Sequence, residues 1–171
     1  MRIALTGTPG VGKTTSASLI KTIKVVSVDA FAKESGAVVD RDSIRDTNEV
    51  DIDVLAEAAN AIDEDVLFEG HLSHLLSVDI AIVLRCSPRV LRDRLIGKGW
   101  TESKVRENVE AEAVDVILIE ALDAVPKVCE IDTTLLSVEE VARAVEEIGR
   151  GESEKYQVGH VDWSQEVLDW F

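Results

Sequence analysis

Nine residues near the start of the chain, Gly7-Thr8-Pro9-Gly10-Val11-Gly12-Lys13-Thr14-Thr15, constrain it more than any other stretch. An apolar run, Ile3-Ala4-Leu5, precedes them and a helix-compatible segment follows. Strand, glycine-rich turn and helix start therefore succeed one another within a few residues. The glycines let the backbone curl until several N–H groups point into one anion-sized hollow. The helix behind the turn aims its positive dipole end at the same point. In this pattern the lysine, Lys13, reaches β- and γ-phosphates, and the hydroxyl after it, on Thr14, is placed to ligate Mg²⁺. A chain built this way is expected to bind a nucleoside triphosphate.

The rest of the chain supports a fold that would carry such a loop. Its 171 residues, 46% of them hydrophobic, suffice for one α/β domain with a proper core. Apolar runs at 2–6, 24–28, 65–69, 79–85 and 127–132 alternate with helical patterns near 13–22, 51–63, 88–97, 101–124 and 138–149. That alternation, with the phosphate loop, predicts a P-loop α/β domain: a five-stranded parallel sheet flanked by helices. Ser87-Pro88 puts a cap residue before a proline at the first helical position, and Ser137 with Glu140 forms a capping box. Val105, Val109, Ala113, Val116 and Ile117 keep helical spacing through 101–124. Residues 1–150 thus form the expected core domain. Residues 29–50 are polar and are expected to be a mobile region on the substrate side. Residues 97–107, rich in glycine and charge, are expected to be a lid. Residues 149–160 resemble a linker. In the tail, Trp163, Val167, Trp170 and Phe171 share one helical face, which either docks on the domain's own core or meets a partner.

The chemistry needs an acid near the metal, and the third apolar run supplies one at its end, in Glu69-Gly70-His71. Glu69 is positioned to hold Mg²⁺ through a water or to orient the attacking group. Gly70 permits close backbone approach, and His71 is expected to point toward the γ-phosphate to place water or acceptor. A transferring phosphoryl group spreads negative charge over its equatorial oxygens and needs cations. Arg85, Arg89, Arg92, Arg94 and Lys98 cluster within fourteen residues; Arg94 and Lys98, one helical turn apart, are the expected triphosphate contacts. Lys33, Arg41 and Arg45 are candidates for a second phosphate. No Asn-Lys-x-Asp element for guanine is present, which disfavours a GTPase switch and is compatible with adenine nucleotides, and the loop from Thr133-Thr134 to Ser137 is a candidate to pass the base.

The formal net charge of −15 disfavours a broad nucleic-acid face. It fits either plain solubility in a salty medium or a basic partner. Cys86 and Cys129 lie in or beside apolar runs and lack metal-ligand spacing, so reduced, buried thiols are expected. No apolar run reaches membrane-spanning length and no leader is seen, so no membrane contact and a cytoplasmic location are expected.

Together three stretches resemble the family of adenylate kinase isoenzyme six, also called coilin-interacting nuclear ATPase protein. They are Thr6 to Thr15, the acid–x–His element Glu69-Gly70-His71, and the run Val83 to Leu95 continued by Lys98 to Val105, with Asn108 and Glu112 beyond. The resemblance covers about residues 1–150. It implies a small, broad-specificity nucleoside monophosphate kinase with ATPase activity, linked to maturation of the small ribosomal subunit and its rRNA. It implies that Gly10, Gly12, Lys13, Thr14 and Thr15 bind ATP phosphates, that residues 29–52 take the monophosphate, and that 97–107 form the lid. A basic small-subunit ribosomal protein is the implied partner. Two positions depart from the pattern: the acid, often Asp, is Glu69, and a lid position often held by Arg is Lys98, which keeps the charge but not the bidentate fork.

Overall fold

The computed structural model describes residues 1–42 and 47–170, with the backbone alone for 41, 42, 47 and 48. The chain begins with β1 (Arg2–Thr6), α1 (Lys13–Ala17), β2 (Lys24–Ser27) and α2 (Val28–Glu34). A hairpin, β3 (Val38–Asp42) and β4 (Thr47–Val50), precedes α3 (Ile52–Asn60) and β5 (Val66–Glu69). Then come a 3₁₀ turn at Ser73–Leu75, β6 (Ile80–Arg85), α4 (Pro88–Gly97), α5 (Glu102–Ala113) and α6 (Val116–Ala124). β7 (Val128–Asp132), α7 (Val138–Gly149), a 3₁₀ turn at Glu154–Tyr156 and α8 (Ser164–Leu168) complete the described chain.

β2, β5, β1, β6 and β7, in that spatial order, form one parallel sheet, as expected. Its central strands are buried on both faces, which is why they read as continuous apolar runs. Alternate residues serve opposite sides. Ile3, Leu5, Leu67, Ile82 and Leu84 pack with Leu91 and Leu95 of α4, Val105 and Val109 of α5, and Val141, Val145 and Ile148 of α7. Ala4, Val66, Phe68, Ala81 and Val83 pack with Val28 of α2, Leu55 of α3 and Leu118 of α6. After β1 the chain builds one side of the sheet and then crosses to the other. That reversal opens a crevice beyond the carboxyl ends of β1, β5 and β6, where α/β sheets bind ligands. Among the described residues no helix is long and apolar enough to cross a membrane.

Four expectations are corrected. The helix expected over 13–22 stops at Ala17. Ser16 and Ser18 turn their hydroxyls back onto backbone carbonyls, and the next N–H groups of Leu19 and Ile20 bond three residues back. The helix expected over 101–124 is two, broken at Asp115, whose φ of 60° is left-handed. The break turns the Asp115 carboxylate onto the guanidinium of Arg85, and aspartate tolerates this backbone better than most residues. Residues 29–50 hold α2 and the antiparallel hairpin β3–β4, structure that their polarity concealed. The tail helix is short, with Trp163 as its N-cap. Phe171 lies outside the described residues.

Candidate active site

The crevice is floored by the residues between β1 and α1. Gly12 caps α1 with φ 107°, and Lys13, Thr14 and Thr15 form the first turn. Gly10 has φ 97°, and a Cβ there would lie 2.7 Å from Leu95 and 2.9 Å from Leu91. The loop therefore rests directly on α4, and only glycine permits that approach.

Lys13 is buried, 8% exposed, and its ammonium donates to the carbonyls of Gly7 at 2.6 Å and Thr8 at 3.1 Å. Burial pushes its pKa down to about 8. Glu69 opposes that shift most strongly, Lys98 adds to it, and Asp29 and Glu112 oppose it. A lysine that loses its proton near pH 8 grips a triphosphate less well above that pH. ATP affinity is thus expected to fall through pH 8 to 9.5, with net proton uptake on binding in that range. Calorimetric titration in buffers of different ionisation enthalpy checks this; an affinity independent of pH over that window contradicts it.

At the end of β5, Glu69 is 7% exposed, and its carboxylate accepts a hydrogen bond from the Thr14 hydroxyl at 2.9 Å. The sequence separates these residues by 55 positions, and the parallel pairing of β1 with β5 joins them. Two oxygen donors at the foot of a phosphate loop suit Mg²⁺, which takes few protein ligands and fills its shell with phosphate and water. Gly70 gives the close approach foreseen for it: a Cβ would lie 2.8 Å from the Cβ of Val28. His71 is exposed at the rim. Local desolvation, then the charge of Lys13, hold its pKa below the ordinary histidine value, so the ring is neutral at pH 7.

The basic cluster separates. Lys98 is exposed at the C-cap of α4, and its charge helps to lower the pKa of Lys13. Arg94 braces the loop after β7: its two terminal nitrogens donate to Thr133 at 3.2 and 2.8 Å and to the Thr134 carbonyl at 3.5 Å. Thr133 in turn bonds the carbonyl of Val11 in the phosphate loop at 2.9 Å. Arg85 is 1% exposed and bound to Glu112, Asp115 and Glu130, so it is architectural. Lys33 is exposed near the end of α2. The side chain of Arg41 and the whole of Arg45 lie outside the described residues. Both cysteines are buried and free, with burial pushing the Cys86 thiol up to about 11.

Three residues escaped the sequence reading of the site. Asp29, first turn of α2, acts electrostatically on both Lys13 and His71. His74 is buried with Nδ1 2.9 Å from the Thr6 hydroxyl and Nε2 3.2 Å from Glu120. Glu112, quoted above only for a resemblance, accepts from Thr8 of the loop at 2.6 Å. A signal existed for it: Val105, Val109 and Glu112 fall on one helical stripe, and an acid on an apolar stripe implies a buried partner. The tail docks on its own domain through Trp163, whose indole N–H reaches Glu112 at 3.3 Å, while Trp170 stays exposed.

Comparison with known proteins places this geometry in company. Residues 3–115 match the family described as AAA domain. A protein of Archaeoglobus fulgidus named "Putative adenylate kinase" is 49% identical over 174 residues, covering 99% of this chain and 95% of its own. One of the same name from Natronomonas pharaonis is 42% identical over 170 residues, covering 98% and 100%. The crystal structure of shikimate kinase from Bacteroides thetaiotaomicron aligns with a TM-score of 0.56 at 16% identity, over 88% of this chain and 98% of that one. At that identity the likeness is one of fold.

Proposed function

We propose that this chain, which belongs to the AAA domain family and to the family of its archaeal relatives, is a nucleoside monophosphate kinase that moves the terminal phosphate of ATP onto AMP or a related acceptor. The observation that carries the reading is the Thr14–Glu69 contact beside the buried Lys13. It joins a phosphate loop, an acid and a cation in the arrangement phosphoryl transfer uses. The family name of the relatives supplies the acceptor class.

The loop N–H groups and the start of α1 bind the triphosphate. Lys13 stabilises the charge on the transferring group, and Lys98 adds a second cation from the side of α4. Thr14 and Glu69 would hold Mg²⁺, which when bound neutralises charge on the phosphate oxygens. Arg94 steadies the Thr133–Thr134 loop along which the base passes. Residues 29–52 take the monophosphate and 97–107 act as the lid. His71, neutral at pH 7, accepts a hydrogen bond from water or the acceptor. Purified protein with ATP, Mg²⁺ and AMP is expected to form ADP far faster than with ATP alone; no AMP-dependent ADP refutes the kinase. His71→Ala is expected to reduce ATP hydrolysis about tenfold more than ADP formation. Equal losses assign His71 a structural role.

The finer likeness, to adenylate kinase isoenzyme six, rests on three stretches: Thr6 to Thr15, Glu69-Gly70-His71, and Val83 to Leu95 continued by Lys98 to Val105, with Asn108 and Glu112 beyond. It adds ATPase activity and a place in small-subunit rRNA maturation. A net charge of −15 favours one second reading, an ATPase whose main task is to bind a basic small-subunit ribosomal protein. That reading requires salt-sensitive association and hydrolysis that responds to the partner.

A further inference from the structure

We propose that Glu112 is a positioning residue of the phosphate loop, acting through the hydroxyl of Thr8 on the peptide that orients Lys13. The inference rests on the nucleotide-binding reading above and goes beyond it, because Glu112 bonds to the loop through Thr8 and is not among the residues assigned to the nucleotide.

Thr8 and Glu112 are 104 residues apart in sequence, and both are buried. The Thr8 hydroxyl donates to Glu112 Oε2 at 2.6 Å, a short contact of the charge-assisted kind. Oε1 of the same carboxylate accepts from Arg85 Nε at 2.8 Å, the Cys86 N–H at 3.2 Å and the Trp163 indole N–H at 3.3 Å. Three donors from β6, the turn after it and the C-terminal segment thus fix one oxygen, and the other is left for the loop. The backbone carbonyl of Thr8 accepts from Val11 N–H at 3.3 Å and from Lys13 Nζ at 3.1 Å. The side chain of Thr8 is therefore pinned from below while its carbonyl sets the turn and receives the catalytic amine from above.

The carboxylate's charge also helps to keep Lys13 protonated, against burial and Lys98. A buried acid beneath an anion-binding loop opposes phosphate unless it is neutralised, and Arg85 supplies that neutralisation. An apolar pair would fill the same space without holding the loop in one conformation. The hydroxyl–carboxylate pair is directional, which a loop that must present its N–H groups in advance requires.

The test measures ATP affinity, KM for ATP and for AMP, and thermal midpoint on the full chain for wild type, Thr8→Val, Thr8→Ser, Glu112→Gln and the double variant Thr8→Val/Glu112→Gln. Thr8→Val and Glu112→Gln are each expected to weaken ATP binding about tenfold, with KM for AMP unchanged. Thr8→Ser, which keeps the hydroxyl, is expected to bind within about twofold of wild type, and the double variant to bind no more weakly than Thr8→Val. A folded Thr8→Val protein that binds ATP like wild type overturns the proposal, as does a double variant whose loss is the product of the two single losses. If Glu112→Gln does not fold, Thr8→Val against Thr8→Ser decides the matter. Wild-type protein that binds no ATP overturns the nucleotide reading itself, and is told apart by that control.

Discussion

Replacing Lys13 by Met is expected to lower phosphoryl transfer by about a thousandfold, because the one cation held inside the loop is lost from where charge develops. The same change is expected to leave the fold intact, and at neutral pH to stabilise it. The reason lies in the sign of the shift. Lys13 is brought down from 10.5 to about 8 by burial. Below pH 8 the amine is charged in folded and unfolded chain alike, and the folded chain bears the full cost of burying the charge. Between about pH 8 and 10.5 the unfolded chain binds the extra proton, so wild-type stability rises with pH, by about 3 kcal/mol over the window. The Met variant lacks that rise. Urea unfolding of both proteins from pH 7 to 10.5 reads the difference directly, since other groups titrate equally in the two. A constant gap between the curves, or a variant less stable than wild type at pH 7, contradicts this account of Lys13.

Arg85→Met is expected to give the largest loss of stability, about 3–5 kcal/mol, or roughly 10 °C in Tm. Arg85 holds Glu112 and Glu130, both buried, and Asp115 at the break between α5 and α6. Removing it strands two carboxylates in the interior. Glu130 also fastens the C-terminal segment, accepting from the N–H groups of Gly159 and His160 at 2.8 Å and of Val161 at 3.1 Å. Chemical unfolding of both proteins at pH 7 checks this. A deficit under about 1 kcal/mol contradicts the role given to Arg85.

These two residues show what a sequence carries and what it conceals. The phosphate loop is local: its glycines, Lys13 and Thr14 do their work within nine positions, so pattern alone places them. The central strands β5, β1 and β6 are legible because each is buried on both faces and unbroken. Glu69 is legible because it ends such a run. Arg85 also ends one, yet it joins the basic cluster in the linear reading. Only the turn of Asp115 and the approach of α5 show that its charge is matched inside the protein. The break at Asp115 is hidden because Ala113, Val116 and Ile117 keep helical phase across it. Arg94 points to the base-side loop because Thr133, 39 residues on, meets it across the end of the sheet. Polar residues in 29–50 mask α2 and the hairpin, because the apolar positions that set α2 against the core, among them Phe31 and Ala32, are few and widely interrupted. Long-range partnership, not local preference, decides each of these.

The central claim is that the terminal phosphate of ATP passes to a nucleotide acceptor in preference to water. ATP labelled with ³²P at the γ-position, incubated with the protein, Mg²⁺ and unlabelled AMP, tests it directly. The account predicts label at the β-position of newly formed ADP, little label in inorganic phosphate, and loss of both signals with Lys13→Met. Label that appears only as inorganic phosphate, at a rate indifferent to AMP, would contradict it.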